Sequence, residues 1–478
     1  MRLLPALVAT AAIACSSPSP SAEPRAAPEP AGPPPVPELD VASLDRWFDA
    51  ELAPHTPAVV AGVVLGDRLV WQRGAGARDG AGGPPPDHST AFRIGSITKT
   101  LTAIAIMRLV EDGTLDLAAP VARHVPELEE HIAGVTLRHL VTHTSGIRTV
   151  GDGSATYTAQ KGPTEAELLR SLAIPLEFAP GSKDTYSNAG MALAGIVAAR
   201  AAKKSYRELM APVLAAVGMR PLWDVPASGR AVGRSPAGVI DPPTWILGAY
   251  EPAGGLWASL DDMVGLARFI HGGRHADAIL PAARRAQMFT DDPLPGRHGV
   301  AWIVGAGFVG HTGSTGDFAA SIIGSPSRRA SVIVLASGGI DGLADCAASV
   351  LLAAVVEGTH PVSCASFVEE PLTGAPLPPE AVAASMDRLV AFLAAPDEAT
   401  ARAAFSPAFL AELPVAEVVA ATRRITASTG RCTAHTGAPP STAGRVVVRC
   451  GDVSLTVEYQ LEASPPYRFD GARVTGRE

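Results

Sequence analysis

The chain has 478 residues, with 39 Lys plus Arg against 47 Asp plus Glu and a formal net charge of −8. That is length for two to four domains and leaves no basic face of the kind that holds nucleic acid. Charged residues at 18% and hydrophobic ones at 47% exclude a charge-rich disordered chain, and 47 glycines with 43 prolines predict many turns. Only five basic residues are lysine (Lys99, Lys161, Lys183, Lys203, Lys204), so a motif that needs lysine is hard to meet by chance.

Arg2 precedes a largely apolar run from Leu3 to Ala14, 12 residues, too short to span a bilayer and suited to a signal peptide. It ends in Ala12-Ile13-Ala14-Cys15, which resembles the lipobox of bacterial lipoproteins, where cleavage precedes a lipidated cysteine. Residues 1–15 are thus expected to be a lipoprotein signal with Cys15 as attachment point; ordinary cleavage after an alanine is the alternative. Either way the mature protein leaves the cytosol, toward the periplasm-facing or outer membrane, held there by its lipid alone. Residues 16–38 are nearly all Ser, Pro, Ala and Glu and read as an extended tether. In an oxidising compartment Cys346, Cys364, Cys432 and Cys450 allow three pairings, and the expectation is the sequence-local one, Cys346 with Cys364 and Cys432 with Cys450. No pair has metal-ligand spacing with nearby histidines, so neither metal nor other cofactor is expected.

Ala58 to Arg73 reads as two strands around Gly66-Asp67. From Ser96 to Gly113 apolar residues recur at helical intervals (Ile97, Leu101, Ile104, Met107), predicting a buried helix with Ser96 in its first turn. Thr136 to Met219 is helical in pattern, with segments near 164–172, 188–202 and 205–217. Strands are predicted at Val300–Val309, Phe318–Ile323 and Ser331–Ala336, then a helix over Gly342–Glu357. This describes an α/β domain, residues 39–365, carrying an all-α subdomain, with a site between the two. Residues 366–379 are a proline-rich linker. Residues 380–478 read as a small α+β domain, with helices near 380–394, 397–412 and 414–427 and a strand in which Val453, Leu455, Val457, Tyr459 and Leu461 alternate. That order looks like the cystatin-like or NTF2-like domains.

Three short segments carry chemistry. In Ser96-Ile97-Thr98-Lys99 the lysine lies one helical turn from a serine hydroxyl, which becomes a nucleophile once a base takes its proton. In Tyr186-Ser187-Asn188 a phenol can relay a proton and an amide can orient a lysine or bind a substrate carbonyl. His311-Thr312-Gly313-Ser314 offers an edge strand to substrate backbone and an amide to an oxyanion. A second His-Thr-Gly, His435 to Gly437, is read as a coincidence.

Together these segments resemble the serine β-lactamase and penicillin-binding protein superfamily, in its class C type branch. Phe92-Arg93-Ile94-Gly95, Leu140-Val141-Thr142-His143-Thr144-Ser145-Gly146-Ile147 and Gly254-Gly255-Leu256 followed by Ser259 add to the resemblance, which covers about residues 40–358. It implies a β-lactamase/transpeptidase-like fold, an antiparallel sheet flanked by helices plus the all-α subdomain. It further implies that Ser96 is acylated and that Lys99 and Tyr186 share the acid and base work. Asn188 would hold Lys99 and the substrate amide, His311, Thr312 and Gly313 would line the substrate strand, and the amides of Ser96 and Ser314 would form the oxyanion hole. His143 is read as a turn residue that shapes the domain rather than a base. Class C β-lactamases carry lysine where this chain has His311, a residue mostly neutral at pH 7. The expected substrate is therefore a small peptide or ester, as for a D,D-carboxypeptidase, D-amino-acid peptidase or esterase, ahead of a β-lactam. The rival of another class is a binding or sensing protein that does not turn over and works through its C-terminal domain.

Overall fold

The computed structural model describes residues 38–148, 162–234, 246–290, 298–305, 307–338, 341–364, 377–412, 414–426, 431–436, 442–451, 453–462 and 464–477. The expected signal peptide with Cys15, nearly all of the tether and most of the linker lie outside the described residues.

Helix α1 (Val41–Trp47) is capped by Asp40, whose carboxylate accepts the Ser43 amide at 3.0 Å. It leads into the hairpin of β1 (Ala58–Leu65) and β2 (Arg68–Gly76), which turns at Gly66 with φ +58°, a left-handed backbone that glycine adopts at little cost. Strand β3 (Phe92–Arg93) runs into a 3₁₀ turn, Gly95–Ile97, and then α2 (Thr98–Glu111). The helical part follows as α3 (Leu137–Val141), α4 (Glu165–Ser171), α5 (Asn188–Ala202), α6 (Tyr206–Val217) and α7 (Glu251–Gly254). Strand β4 (Trp257–Ala258) pairs with β3, and α8 (Leu260–His271), α9 (Arg274–Ile279) and α10 (Ala282–Met288) come next. The chain then adds β5 (Ile303–Gly305), β6 (Phe308–Ser314), β7 (Phe318–Ser325) and β8 (Ala330–Ser337) and closes with α11 (Asp341–Glu357).

The main sheet is antiparallel, in the order β2-β1-β8-β7-β6-β5. Both faces are covered, and for that reason β1 reads as an unbroken apolar run. Val60 and Val64 enter one core with Ile104 of α2 and Leu193 of α5, while Val59, Ala61 and Val63 enter a second with Leu44 of α1 and Leu351 of α11. The Val300–Val309 run is not one strand as predicted: Gly307, at φ +83°, turns it back on itself as the β5–β6 hairpin. The His311–Ser314 segment consequently lies on β6 itself. Strand β5 pairs only with Phe308–Gly310, so among the described residues no strand covers the outer edge at 311–314.

Beyond the linker come α12 (Pro379–Ala394), α13 (Glu398–Ala404), α14 (Pro407–Glu412) and α15 (Val415–Thr426). The single helix expected over 397–412 is split because Pro407 disfavours helical backbone at Ser406. Strands β9 (Cys432–Thr436), β10 (Ala443–Cys450), β11 (Val453–Leu461) and β12 (Phe469–Arg477) form an antiparallel meander. Leu455, Val457, Tyr459 and Leu461 point into a core shared with Met386, Leu389 and Phe392 of α12. Disulfides join Cys346 to Cys364 and, across β9 and β10, Cys432 to Cys450.

Candidate active site

Ser96 is the one partly exposed residue in the otherwise buried run from Ala91 to Thr100. Its turn requires Gly95: φ there is +47°, and a Cβ would come within 2.9 Å of Ser314 N and O on β6. Gly313 faces the same turn from the other side, where a Cβ would overlap the Ile94 carbonyl and stand 3.2 Å from Ser96 N. Two glycines thus let the edge strand and the Ser96 turn touch backbone to backbone.

Lys99, in the first turn of α2, is wholly buried. Its Nζ donates to Ser96 Oγ at 2.8 Å and to the Ala253 carbonyl at 2.6 Å, and lies 4.8 Å from the centre of the Tyr186 ring. The stretch that supplies Ala253 is laced to α2. Thr102 Oγ1 is 2.8 Å from the Pro252 carbonyl, Leu256 N donates to Thr98 Oγ1 at 3.2 Å, and Ile94 N donates to Leu256 O at 3.1 Å. This is where the Gly254-Gly255-Leu256 match falls.

Tyr186 is gripped on both sides by His143. Thr185 N donates to the His143 carbonyl at 2.8 Å and Ser187 N to its Nδ1 at 3.2 Å, while the two rings lie 4.4 Å apart. His143 reaches this position with φ +59°, a left-handed backbone held by those bonds. Burial first, and then the unfavourable electrostatic surroundings that include Lys99, hold its imidazole well below the ordinary histidine range. His143 is therefore neutral, with Nδ1 as acceptor. His311 is likewise buried and neutral: burial first, then the Lys99 charge, push it down to about 3, against the bond its Nδ1 donates to the Thr312 carbonyl at 2.6 Å.

Ser96, Asn188 at the start of α5, Ser314 and Gly254 open onto a cleft, with Leu247, Tyr250 and Thr315 also in its wall. Ser96, Lys99, Tyr186, Asn188, Gly313 and Ser314 are brought together. His311 sits behind that wall, its ring 6.5 Å from Tyr186, and Thr312 is half-buried on the same strand. His435 lies on β9 in the other sheet, 3.7 Å from Asp387, away from this cleft; Gly437 is outside the described residues. The Ala253 carbonyl, Leu247, Tyr250 and Thr315 were not foreseen, since a main-chain acceptor and a cleft wall leave no sequence signature. Among the described residues no group of three His, Cys, Asp or Glu could hold a metal, and no helix is long and apolar enough to cross a membrane.

A family model described as beta-lactamase matches residues 44–357. The chain belongs to the beta-lactamase family. It is a serine hydrolase of that family, and the antiparallel sheet with its flanking helices is the family's fold. Esterase EstB of Burkholderia gladioli is 31% identical over 303 residues, 52% of this chain and 76% of that protein. The human mitochondrial serine beta-lactamase-like protein LACTB is 41% identical over 97 residues, but these are only 19% of this chain and 18% of that one. Among solved structures, a D-alanine carboxypeptidase AmpC from Burkholderia cenocepacia superposes with a TM-score of 0.56 at 24% identity, covering 64% of this chain and 97% of that one. A class C beta-lactamase mutant gives 0.55 at 20% identity, covering 64% and 95%. At those identities the likeness is one of fold.

Proposed function

We propose that the protein hydrolyses esters or amides through an acyl-enzyme on Ser96. The observation that carries this reading is the 2.8 Å contact between Ser96 Oγ and the Nζ of a wholly buried lysine. Lys99, once it has given up a proton, takes the hydroxyl proton as Oγ attacks the substrate carbonyl, and the oxyanion is met by the amides of Ser96 and Ser314. The proton passes by way of Tyr186 to the departing alcohol or amine. Water then gives a proton to the Lys99–Tyr186 pair as it adds to the acyl-enzyme, Oγ leaves with that proton, and the acid is released. Asn188 and the backbone of Thr312 and Gly313 orient the substrate.

The acyl donor we favour is an ester or a D-amino-acid peptide, of the D,D-carboxypeptidase, D-amino-acid peptidase or esterase type. The neutral His311 supports this, because the edge strand then offers no fixed cation to a carboxylate of the kind a β-lactam carries. The 31% identical esterase supports it too. We also propose domain limits of 39–365 and 380–478, the second as a cystatin-like or NTF2-like module, and export as a lipoprotein through Cys15, in keeping with two cystines in one chain.

Wild-type protein and Ser96→Ala, offered a p-nitrophenyl ester, a D-Ala-D-Ala peptide and a chromogenic cephalosporin, test the reading. Ser96-dependent turnover of ester or peptide exceeding that of the cephalosporin is expected. Preference for the cephalosporin would establish a β-lactamase, and no Ser96-dependent turnover would favour the binding protein.

A further inference from the structure

The aromatic stack under Tyr186 does not end at His143. His298, just ahead of β5, places its ring 4.9 Å from that of His143, edge to face at 78°, and 6.2 Å from that of Tyr186. Its Nδ1 donates to Asp184 Oδ2 at 2.9 Å, and both side chains are only 16% exposed. A carboxylate bound to one ring nitrogen fixes the tautomer and the orientation of an imidazole. Asp184 is two residues before Tyr186, and His298 arrives from 114 residues further along. The pair thus ties the loop that carries Tyr186 to the segment entering the main sheet.

We propose that Asp184 and His298 form a positioning dyad for Tyr186, acting through His143 and without touching substrate. Asp184 holds the His298 ring, His298 packs edge to face with His143, and His143 clamps the main chain on both sides of Tyr186. That phenol ring in turn lies beneath Lys99 Nζ. The inference rests on the Ser96 acyl-enzyme reading. The dyad sits in a cluster of weakly exposed polar rings: facing it are His143, Tyr186, His311 on β6 and Lys99 on α2. A side chain that merely filled space here would not need a hydrogen-bonding carboxylate with equally little exposure. Removing either member of the dyad removes the same constraint, so the two should act as one unit.

The test is a double-substitution cycle on the full-length protein. It compares Asp184→Ala, His298→Ala and the double variant by ester turnover and by the rate at which a fluorophosphonate labels Ser96. Displacing Tyr186 by a fraction of an ångström to an ångström should lower kcat and the labelling rate by about 10- to 100-fold. KM should stay within about twofold, because the Leu247–Gly254 wall of the cleft is untouched. The double variant should be no slower than the slower single one. Asp184→Asn, which keeps an oxygen for the Nδ1 proton, should recover most of the rate. Unchanged kcat, additive losses, or a loss expressed in KM would overturn the dyad. If the alanine variants do not fold, Asp184→Asn and His298→Gln carry the same comparison: Asp184→Asn must stay near wild type while His298→Gln loses rate, and the reverse order overturns the proposal. Failure of the underlying reading looks different, since wild-type protein would then take no fluorophosphonate at Ser96.

Discussion

The two halves of the described chain bury different things. In the part that matches the beta-lactamase family, Lys99, Arg93, His143 and His311 are all buried around one turn and one strand. In the C-terminal part, among the described residues, the buried polar side chains are hydroxyls: Ser385, Ser406, Thr422, Thr442 and Tyr459. Burying a titratable group costs free energy, which a fold bears where the group has work to do. Among the described residues the Nε2 atoms of His143 and His311 have no hydrogen-bond partner, a cost borne next to Tyr186. The C-terminal meander, with Leu455, Val457 and Leu461 against α12, has an apolar inner face.

Substitutions can break or sharpen that contrast. Lys99→Ala should have the largest effect, lowering ester turnover at least roughly 100-fold as expected for loss of a general base; steady-state kinetics with a p-nitrophenyl ester checks it, and a near-normal rate would remove the lysine from the mechanism. Gly313→Ala should come next. Its Cβ cannot coexist with the Ile94 carbonyl, so β6 must move off the Ser96 turn. A fall in kcat of about 10-fold or more is expected, since small misplacements at a reacting centre are expensive. Leu455→Ala should invert the pattern. Loss of a fully buried leucine side chain is worth about 2–5 kcal/mol of stability in the C-terminal core, read by denaturant melts, with turnover at 25 °C within about twofold. A large loss of turnover there would show that the two parts are coupled.

The smallest effect concerns acid. His311 binds its proton only near pH 3 when folded but near pH 6.5 when unfolded. Between those values the unfolded chain carries more protons, so stability is lost as pH falls through that window. His143 acts in the same direction. His311→Gln should flatten that decline in melts taken between about pH 6.5 and pH 4, and an unchanged slope would contradict the neutral, buried assignment.

How much of this was legible in the sequence depended on range. Ser96 and Lys99 are one turn apart, so their pairing could be read directly, as could the alternation of Leu455, Val457 and Tyr459. The β1–β2 hairpin was visible through Gly66-Asp67. What stayed hidden was long-range or main-chain. The Ala253 carbonyl on Lys99 has no side-chain signature, and Asp184 with His298 is a contact between loops whose spacing follows no period. His143 could be seen as a turn residue, but not that its Nδ1 and carbonyl would flank Tyr186. The β5–β6 hairpin was missed because one glycine, Gly307, outweighs the β-forming run around it.

The central claim is that Ser96 is the acylated residue. Peptide mass mapping after brief exposure to a fluorophosphonate tests it most directly. The expected result is one adduct, on the peptide containing Ser96, absent from Ser96→Ala and formed far more slowly in Lys99→Ala. An adduct on another serine, or ester hydrolysis that persists in Ser96→Ala, would contradict it.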